Sequence, residues 1–538
     1  MLTRLLWSRK YLVPLMPTAI IATATTAAPK PGRLKANLCA NIAQLGLSLL
    51  MGVWYVPFLV KELGPAGYGL IPLTSVITSY MTLITVGLES AVGRFETLAL
   101  TRQDNHNANL MFNVALWGNI ALCALLLIPS IIALVHVDRL IRIPPGYETA
   151  TRWLFAGTIA AFLLNQIKTP FTVSFFCRNR LDLQNLVTAG ETFARVGLVV
   201  LLFGLVAARI EYVGAAILAG TLVAFIGTIW AWRWLTPTLF VSWRLFDWGM
   251  LRKLCHTGGW VIVSQIGVML YLNIDLVVAN RLFGAEQSGR YAAVLQLSFL
   301  LRSLSLAVGG VFAPTMFHIY ARDDIAGLVV YLRRSIKFLG FFMALPIGLT
   351  CGFSKPLLQL WLGKSFGVFA PLLVVMTIHL CINLAMYPLY PLPLALNRVK
   401  VPGLVTLAVG VGNVLLALLL AGAAGWGLYG IAAAGAIMLT VRHLLFTPLY
   451  SAHILNQPWT TFYHGVISFL SATLLTAGFS QAILRVWPVT NWLDLAVAAG
   501  LVSILFLIVA YALLSPAERV EFKEAIGRRK GRSACAST

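Results

Sequence analysis

Long apolar runs recur along the whole chain and are separated by short polar breaks. A helix needs about 20 predominantly apolar residues to cross the hydrocarbon core of a bilayer, and inside that core every backbone polar group must be hydrogen-bonded within the protein. The runs therefore restrict the chain to a bundle of membrane-spanning helices. Hydrophobic residues make up 59% of the sequence and charged residues 11%, which leaves little chain for a soluble domain.

The predicted fold class is an all-α polytopic membrane protein with about 14 spans, six in each half and two at the end. Each boundary is placed where an apolar run meets a basic or turn-rich break. In chain order the spans cover about residues 36–60, 67–93, 108–135, 153–177, 183–207, 211–232, 255–280, 287–317, 335–353, 368–395, 401–424, 427–452, 462–484 and 493–514.

These spans divide the chain into six predicted parts. They are a cytoplasmic extension (1–33), an N-lobe (34–235), a cytoplasmic linker (236–254), a C-lobe (255–453), a terminal helix pair (454–515) and a basic cytoplasmic tail (516–538). The first 28 residues also have the outline of a signal peptide, but Pro14 and Pro17 interrupt the apolar run, which favours an extension.

The formal net charge of +22 is distributed over the loops. If the N-terminus lies inside, the inside segments hold most of the 40 Lys and Arg residues, as the positive-inside rule requires. We therefore expect both termini in the cytoplasm. The charge excess then orients the protein and meets anionic lipid headgroups, so nucleic acid is not an expected partner.

The sequence shows no pattern typical of a metal site or an enzyme. Seven cysteines are scattered without metal-ligand spacing or a disulfide framework, and the eight histidines form no H-x-x-x-H pattern. Nothing resembles a phosphate-binding loop or a catalytic triad. We expect no metal, no cofactor and no catalytic residues.

One motif occurs twice at a constant offset, which indicates an internal repeat. Asn165, Pro170 and Asn179-Arg180 recur as Asn383, Pro388 and Asn397-Arg398. Because six predicted spans separate equivalent helices, the two halves cross the membrane in the same direction and enclose a central cavity. Proline inside a span bends the helix, either to shape the bundle or to form a hinge. Arg180 and Arg398 are either membrane anchors or a basic pair at the inner mouth.

Charged residues inside spans are candidates for function, because each costs about 2.5–3.5 kcal/mol near the bilayer centre. Glu191 and Arg195 are four apart on one helix face and are expected to form a structural pair. Lys168 and Arg302 come from different halves and are the leading candidates for a cationic cavity. Asp275 and Glu89 are candidates for ion coupling, or are counter-ions.

Polar side chains at helical spacing supply further cavity candidates. Asn41 lies on one face of the first span with Asn37, and Asn383 lies on one face of the tenth with His379. Such residues either hold helices together or form a wall that binds sugar hydroxyls. We include Asn165, Asn383 and Asn41 among the candidate substrate contacts.

Three motifs carry a resemblance to a known family: Leu63-Gly64 to Tyr68-Gly69, the repeated Asn-Arg, and Asn273-Ile274-Asp275 leading to Phe283-Gly284 and Tyr291. Over about residues 34–453 the chain resembles the polysaccharide transporter family. These are the Wzx-type O-antigen and exopolysaccharide flippases of the multidrug/oligosaccharidyl-lipid/polysaccharide export superfamily.

The resemblance implies a twelve-helix core of two six-helix lobes, often with two added helices, in the bacterial inner membrane. The implied cargo is an undecaprenyl-pyrophosphate-linked oligosaccharide that crosses by alternating access through a basic cavity, coupled to H⁺ or Na⁺. Membrane lipids and other polysaccharide assembly proteins are the implied partners. No ion site can be transferred residue by residue.

Two other functions stay open. A cation-coupled exporter of small molecules from the same superfamily would favour an acidic cavity. A membrane glycan polymerase or ligase would need a long outer loop with catalytic residues, and the longest predicted outer segment, about residues 136–152, is short.

Overall fold

The computed structural model describes residues 31–101, 104–257 and 259–513. The predicted cytoplasmic extension and basic tail lie almost wholly outside these residues, and so does the side chain of Glu89. Every regular element in the described part is a helix, which confirms the predicted fold class. The first six helices are α1 (Pro31–Thr101), α2 (Asn105–Val135), α3 (Val137–Leu140), α4 (Glu148–Cys177), α5 (Leu181–Leu205) and α6 (Ile210–Leu235).

A glycine divides the longest helix of each half into two arms. Gly64 in α1 has φ 68° and ψ 166°, and Gly284 in the later helix α9 has φ 83° and ψ 179°. Such angles suit glycine, which has no Cβ, and they change the direction of the helix. The next helices are α7 (Trp248–Thr257), α8 (Gly259–Leu272), α9 (Ile274–Gly309), α10 (Phe312–Tyr320) and α11 (Ile325–Gly352).

The two copies of the proline motif fold differently. Pro170 lies within the continuous helix α4, whereas the copy with Pro388, Pro391 and Pro393 is broken into short helices. Each proline removes a backbone donor and clashes with the preceding turn, so three of them exceed what one helix tolerates. The remaining helices are α12 (Ser354–Leu362), α13 (Ala370–Ile378), α14 (Leu380–Ala385), α15 (Leu392–Ala395), α16 (Lys400–Leu418), α17 (Gly427–Thr440), α18 (Thr447–Ile454), α19 (Val466–Val486) and α20 (Trp492–Leu513).

Eleven helical stretches in the described chain are long and apolar enough to cross a membrane. Two of them, Cys39–Leu83 with 45 residues and Ile274–Tyr320 with 47, run through the direction changes at Gly64 and Gly284. Helix α4 is not among them. The predicted number of 14 spans therefore stays a prediction.

Helices from the two halves meet along α1 and α9. Gly69 of α1 and Gly289 of α9 abut so closely that a Cβ on Gly69 would lie 2.6 Å from the Gly289 Cα. The largest apolar core cluster draws on both halves and includes Leu70, Tyr291 and Leu372.

Side chains also join the halves near Gly284. The side-chain oxygen of Asn280 accepts from the Arg142 N–H at 2.7 Å, and its Nδ2 donates to the Arg142 carbonyl at 3.1 Å. Arg281 donates to the carbonyl of Arg139, and Nη1 of Arg142 lies 3.4 Å from the carbonyl of Leu282. We call this side of the bundle the Gly64 end. The halves are thus fastened to each other there.

The segment between the halves is tied to α2 by two asparagines one helical turn apart. Asn109 bonds the backbone of Thr238 and Phe240, and Asn113 bonds that of Phe240 and Ser242, all at 2.7–3.0 Å. The two side-chain amides thereby satisfy the backbone N–H and C=O groups of this extended segment, which has no neighbouring strand to bond them among the described residues.

Candidate functional site

The repeated Asn-Arg motif forms the same helix cap in both copies. Asn179 and Asn397 have φ 51° and 53°, and the N–H of each following arginine donates back across six residues, to Phe175 at 2.8 Å and to Pro393 at 2.7 Å. This is the Schellman arrangement, in which asparagine is one of the few residues that tolerates a left-handed conformation. The motif therefore ends α4 and α15 in the same way.

The two arginines of the motif have different surroundings. Nε of Arg180 lies 3.0 Å from Oδ1 of Asp182, and its guanidinium lies 5.1 Å from the ring centre of Trp234. Arg398 is exposed, and its carbonyl accepts from the hydroxyl of Tyr450 at 3.1 Å. Asp182 offsets the charge of Arg180 through this ion pair, and the choice between membrane anchors and a basic pair at the inner mouth stays a prediction. The acidic neighbour of Arg180 is the difference between the copies.

The side chain of Asn41 hydrogen-bonds to a neighbouring helix. Its Oδ1 accepts from Nδ2 of Asn185 at 2.6 Å, while the neighbouring Asn37 donates to Asn179 and accepts from the N–H of Asp182. These contacts hold the first arm of α1 against the start of α5. The interhelical role is therefore the one the contacts favour. Asn165 is exposed, and its carbonyl accepts from the hydroxyl of Thr169.

The partly buried ion pair of the first half differs from the expected pair of Glu191 and Arg195. Nζ of Lys168 on α4 lies 3.8 Å from Oε2 of Glu191 on α5, and the two side chains are 12% and 30% exposed. Glu191 forms no salt bridge with Arg195 among the described residues. Glu191 thus pairs with Lys168 on the neighbouring helix instead of with Arg195 on its own helix. Lys168 therefore has its charge offset, which sequence spacing could not show.

Arg195 is left without that carboxylate. Its Nε is buried and has no hydrogen-bond partner in the described structure, and the same holds for the hydroxyl of Tyr55. Gly220 of α6 packs against its Cβ region, where a Cβ on the glycine would come within 3.1 Å. A buried donor without an acceptor is costly, so Arg195 is a candidate for contact with an anion.

Asp275 lies in a hydrogen-bonded cluster at the start of α9. Its Oδ2 accepts from the hydroxyl of Tyr291 at 3.3 Å and its Oδ1 from Nδ2 of Asn413 at 3.2 Å. Oδ1 of Asn413 is buried and has no partner among the described residues. Gly435 lies beside both oxygens, and a Cβ there would sit 3.5 Å from Oδ2 of Asp275 and 3.8 Å from Oδ1 of Asn413.

A small cavity of about 30 Å³ opens within the second half beside this cluster. It has room for about one or two waters or one small ion, not for a sugar. Its polar lining comprises Tyr271, Asp275, Tyr291, Ser298, Arg302 and His379. None of the hydrogen bonds or salt bridges of the described residues involves Arg302, although Asp275 lines the same cavity. The structure thus places Arg302 and Asp275 together, and Lys168 in another cluster.

Asn383 supports this cavity from behind and is only 1% exposed. Its Nδ2 lies 2.6 Å from Nδ1 of His379, which does line the cavity. The role of Asn383 as a substrate contact stays a prediction, and its link to this cavity runs through His379.

Sequence reasoning missed the residues beneath Arg302. Nη1 of Arg442 lies 2.5 Å from the hydroxyl of Tyr271, and its guanidinium lies 5.1 Å from the ring centre of Tyr271. His443 stacks on Tyr390 at 5.2 Å. Arg442 and His443 both lie on a π-helical turn, Val441–Phe446, and such turns often occur at functional sites. The one sequence signal was the pair Arg442-His443 within a predicted span.

A family model described as polysaccharide biosynthesis protein matches residues 34–320. The chain is also 35% identical over 482 residues to the uncharacterized membrane protein EpsK of Bacillus subtilis (strain 168), covering 90% of this chain and 95% of that protein. A protein of Shigella flexneri with the provisional name O-antigen transporter is 22% identical over 423 residues, covering 77% and 97%.

Two solved structures have a similar fold. One is an inward-facing multidrug resistance MATE family transporter of the MOP superfamily, with a TM-score of 0.63 and 15% identity, covering 78% of this chain and 98% of that one. The other is the lipid II flippase MurJ in an inward closed conformation, with a TM-score of 0.61 and 14% identity, covering 87% and 99%. The chain therefore belongs to the polysaccharide biosynthesis protein family.

Proposed function

We propose that this transporter is a flippase that moves a lipid-linked oligosaccharide, carried on undecaprenyl pyrophosphate, to the outer leaflet of the bacterial inner membrane. The observation that carries the proposal is Arg302, a cation that lines an interior cavity and has no ion-paired carboxylate among the described residues. A charge inside a membrane protein is costly unless a partner offsets it. The pyrophosphate of the cargo would be that partner once the halves part and widen this cavity, which measures about 30 Å³ in the conformation described.

The first half would contribute through Arg195 instead of Lys168. Glu191 already offsets the charge of Lys168, whereas Nε of Arg195 is buried without an acceptor. An arginine presents its donors in a planar fork that suits phosphate oxygens, so it is the better group for this cargo. Arg302 and Arg195 would thus act from opposite halves.

Alternating access follows from the way the halves are fastened. Asn280 and Arg281 of the second half bond the backbone of Arg142 and Arg139 of the first, next to the abutting Gly69 and Gly289. We propose that this Gly64 end faces outside, that it opens when the other end closes, and that both termini lie in the cytoplasm. Assembly proteins of the same polysaccharide pathway would receive the cargo outside.

The test of the substrate contact is Arg302→Gln in cells that depend on this transporter. Losing one hydrogen-bonded charge contact costs about 2–5 kcal/mol, so we expect at least about a thirtyfold fall in surface glycan. Lipid-linked repeat units should accumulate inside. The matched control is Arg290→Gln, because Arg290 is an arginine of the same helix α9 that already pairs with Glu286.

Equal amounts of both variants in the membrane would show that Arg302→Gln folds. Full transport by that variant at normal abundance would overturn the assignment. If single repeat units instead reached the outer leaflet and remained unpolymerised, the protein would be a polymerase. Loss of export of small cationic compounds with normal glycan would support the multidrug alternative, which the fold shared with the MATE transporter favours.

We further propose that Asp275 couples transport to H⁺ or Na⁺. The support is the space beside Gly435, where oxygens of Asp275 and Asn413 converge and the Asn413 oxygen lacks a donor. Asp275→Asn keeps the shape and the hydrogen bonds of one oxygen but removes the charge. In proteoliposomes we expect this variant to lose acceleration by an imposed ion gradient while it still binds cargo. Unchanged acceleration by H⁺ and by Na⁺ would refute the role.

A further inference from the structure

An open groove of about 390 Å³ lies on the first half, where α2 ends. Its lining is formed by Pro129, Ile132, Ala133, His136, Arg139 and Leu140. The first three belong to the last turns of the apolar span Asn105–Val135, and His136 and Arg139 lie just beyond it. The groove is therefore apolar along the span and basic at its rim.

Three arginines gather at this rim from both halves of the chain. Arg281 of α9 donates to the carbonyl of Arg139, and Arg142 follows in the same segment and bonds Asn280 and Leu282. None of the three has a carboxylate within 4 Å among the described residues, although Asp138 lies exposed beside Arg139. Three positive charges near one rim, without an ion-paired carboxylate among the described residues, favour an anion there.

We propose that this groove binds an anionic phospholipid of the bilayer. The phosphate would lie on Arg139 and Arg281, and one acyl chain would run along Pro129, Ile132 and Ala133. The groove suits a phospholipid because its apolar part lies along the membrane span and its basic part lies at the end of the span. A phospholipid likewise places its acyl chains in the hydrocarbon core and its charged headgroup at the membrane surface. Guanidinium groups bind phosphate oxygens through paired charge-assisted hydrogen bonds.

The site would also respond to the conformation of the protein. Arg139 and Arg281 belong to different halves, and they lie together because the halves are fastened at the Gly64 end. A lipid that bridges them binds this closed arrangement better than an open one, and a ligand shifts a two-state equilibrium toward the state it prefers. Anionic lipid would thus stabilise the closed Gly64 end.

The test is lipid binding to the full chain in detergent, measured by native mass spectrometry with phosphatidylglycerol, phosphatidylcholine and glycerol phosphate as probes. We expect phosphatidylglycerol to bind at least about tenfold more tightly than phosphatidylcholine, because the choline cation of phosphatidylcholine offsets its phosphate and is repelled by the arginines, and about 1.4 kcal/mol accounts for such a factor. Arg139→Gln with Arg281→Gln should remove that preference. Ala133→Phe, which fills the groove and leaves the charge intact, should weaken the binding of both phospholipids.

The control variant is Arg209→Gln, since Arg209 is an exposed arginine that pairs with Glu211 at 3.7 Å. It should bind phosphatidylglycerol like the unmodified protein, with an unchanged melting temperature in phosphatidylcholine. Equal binding of the two phospholipids, or unchanged preference in the double variant, would overturn the proposal. So would glycerol phosphate that competes as well as the intact lipid, because the apolar groove would then contribute nothing.

Discussion

At the scale of single residues, the ion pair of Lys168 and Glu191 separates a structural charge from a functional one. Lys168→Met would leave the partly buried carboxylate of Glu191 without its partner. Breaking a fully buried ion pair in this way destabilises a protein by about 3–5 kcal/mol. We expect a smaller loss here, because the two side chains are 12% and 30% exposed. We expect low membrane abundance and a lower melting temperature for this variant.

The double variant Lys168→Met with Glu191→Met should recover abundance and transport, because an apolar pair of similar volume is often tolerated in place of a buried ion pair. Abundance, melting temperature and surface glycan would be measured for both variants. If the double variant folds normally but cannot transport, Lys168 binds the cargo after all, and the role we assign to Arg195 is wrong.

The sequence could identify the charged residues that lie inside membrane spans, but not the side chains that neutralise them. Lys168, Asp275 and Arg302 stand out because each lies in an apolar run, and that needs only the sequence. Their neighbours come from helix packing instead. Asn413 reaches Asp275 from 138 residues away, and Glu191 chooses between an arginine on its own helix and a lysine on the next. Only the positions of whole helices decide such contacts.

At the scale of elements, the asparagine pair on α2 controls the segment between the halves. Asn109 and Asn113 bond the backbone of Thr238, Phe240 and Ser242. Replacing both with leucine would leave these backbone groups without partners, at a cost of about 1–3 kcal/mol for each that stays buried. We expect the segment to detach in the variant.

Limited proteolysis of the purified protein would measure this detachment. Cleavage within residues 236–247 should become at least about fivefold faster in Asn109→Leu with Asn113→Leu, and a leucine at the exposed Asn165 is the control. Unchanged cleavage would mean that the aromatic contact of Trp117 with Trp243, at 4.7 Å, holds the segment by itself.

Most helix positions could be predicted from the apolar runs of the sequence. The breaks depend on proline, glycine and asparagine, whose backbone preferences are known. The proline of each motif copy predicted a bent helix, and the second copy is indeed broken into short helices. The positive φ of Asn179 and Asn397 was not predicted. The continuous path of α4 through Pro170 was not foreseen. One proline bends or interrupts a helix according to what packs around it, and this depends on the neighbouring helices.

At the scale of the whole molecule, the abutting glycines Gly69 and Gly289 bring the two halves together at the Gly64 end. A Cβ on Gly69 would lie 2.6 Å from the Gly289 Cα, closer than atoms can approach, with backbone on both sides. Gly69→Ala should therefore favour separation of the halves at this end. Spin-label distances across this end should lengthen, and transport should fall.

Gly46→Ala is the matched control, because it lies in the same helix and has no atom within 4 Å of an added Cβ. Its distances and transport should equal those of the unmodified protein. A Gly69→Ala variant with unchanged distances would show that the halves yield locally, and that the glycine contact does not set the balance between the two conformations.

The bond between Asn280 and Arg142 has a consequence for kinetics. The amide hydrogen of Arg142 is held by a side chain from the opposite half, not by its own helix or loop. This hydrogen can therefore exchange with solvent deuterium only when the halves part or the loop unfolds. Its exchange rate therefore reports how often the two halves part. The measurement needs no attached label and does not depend on which cargo is carried.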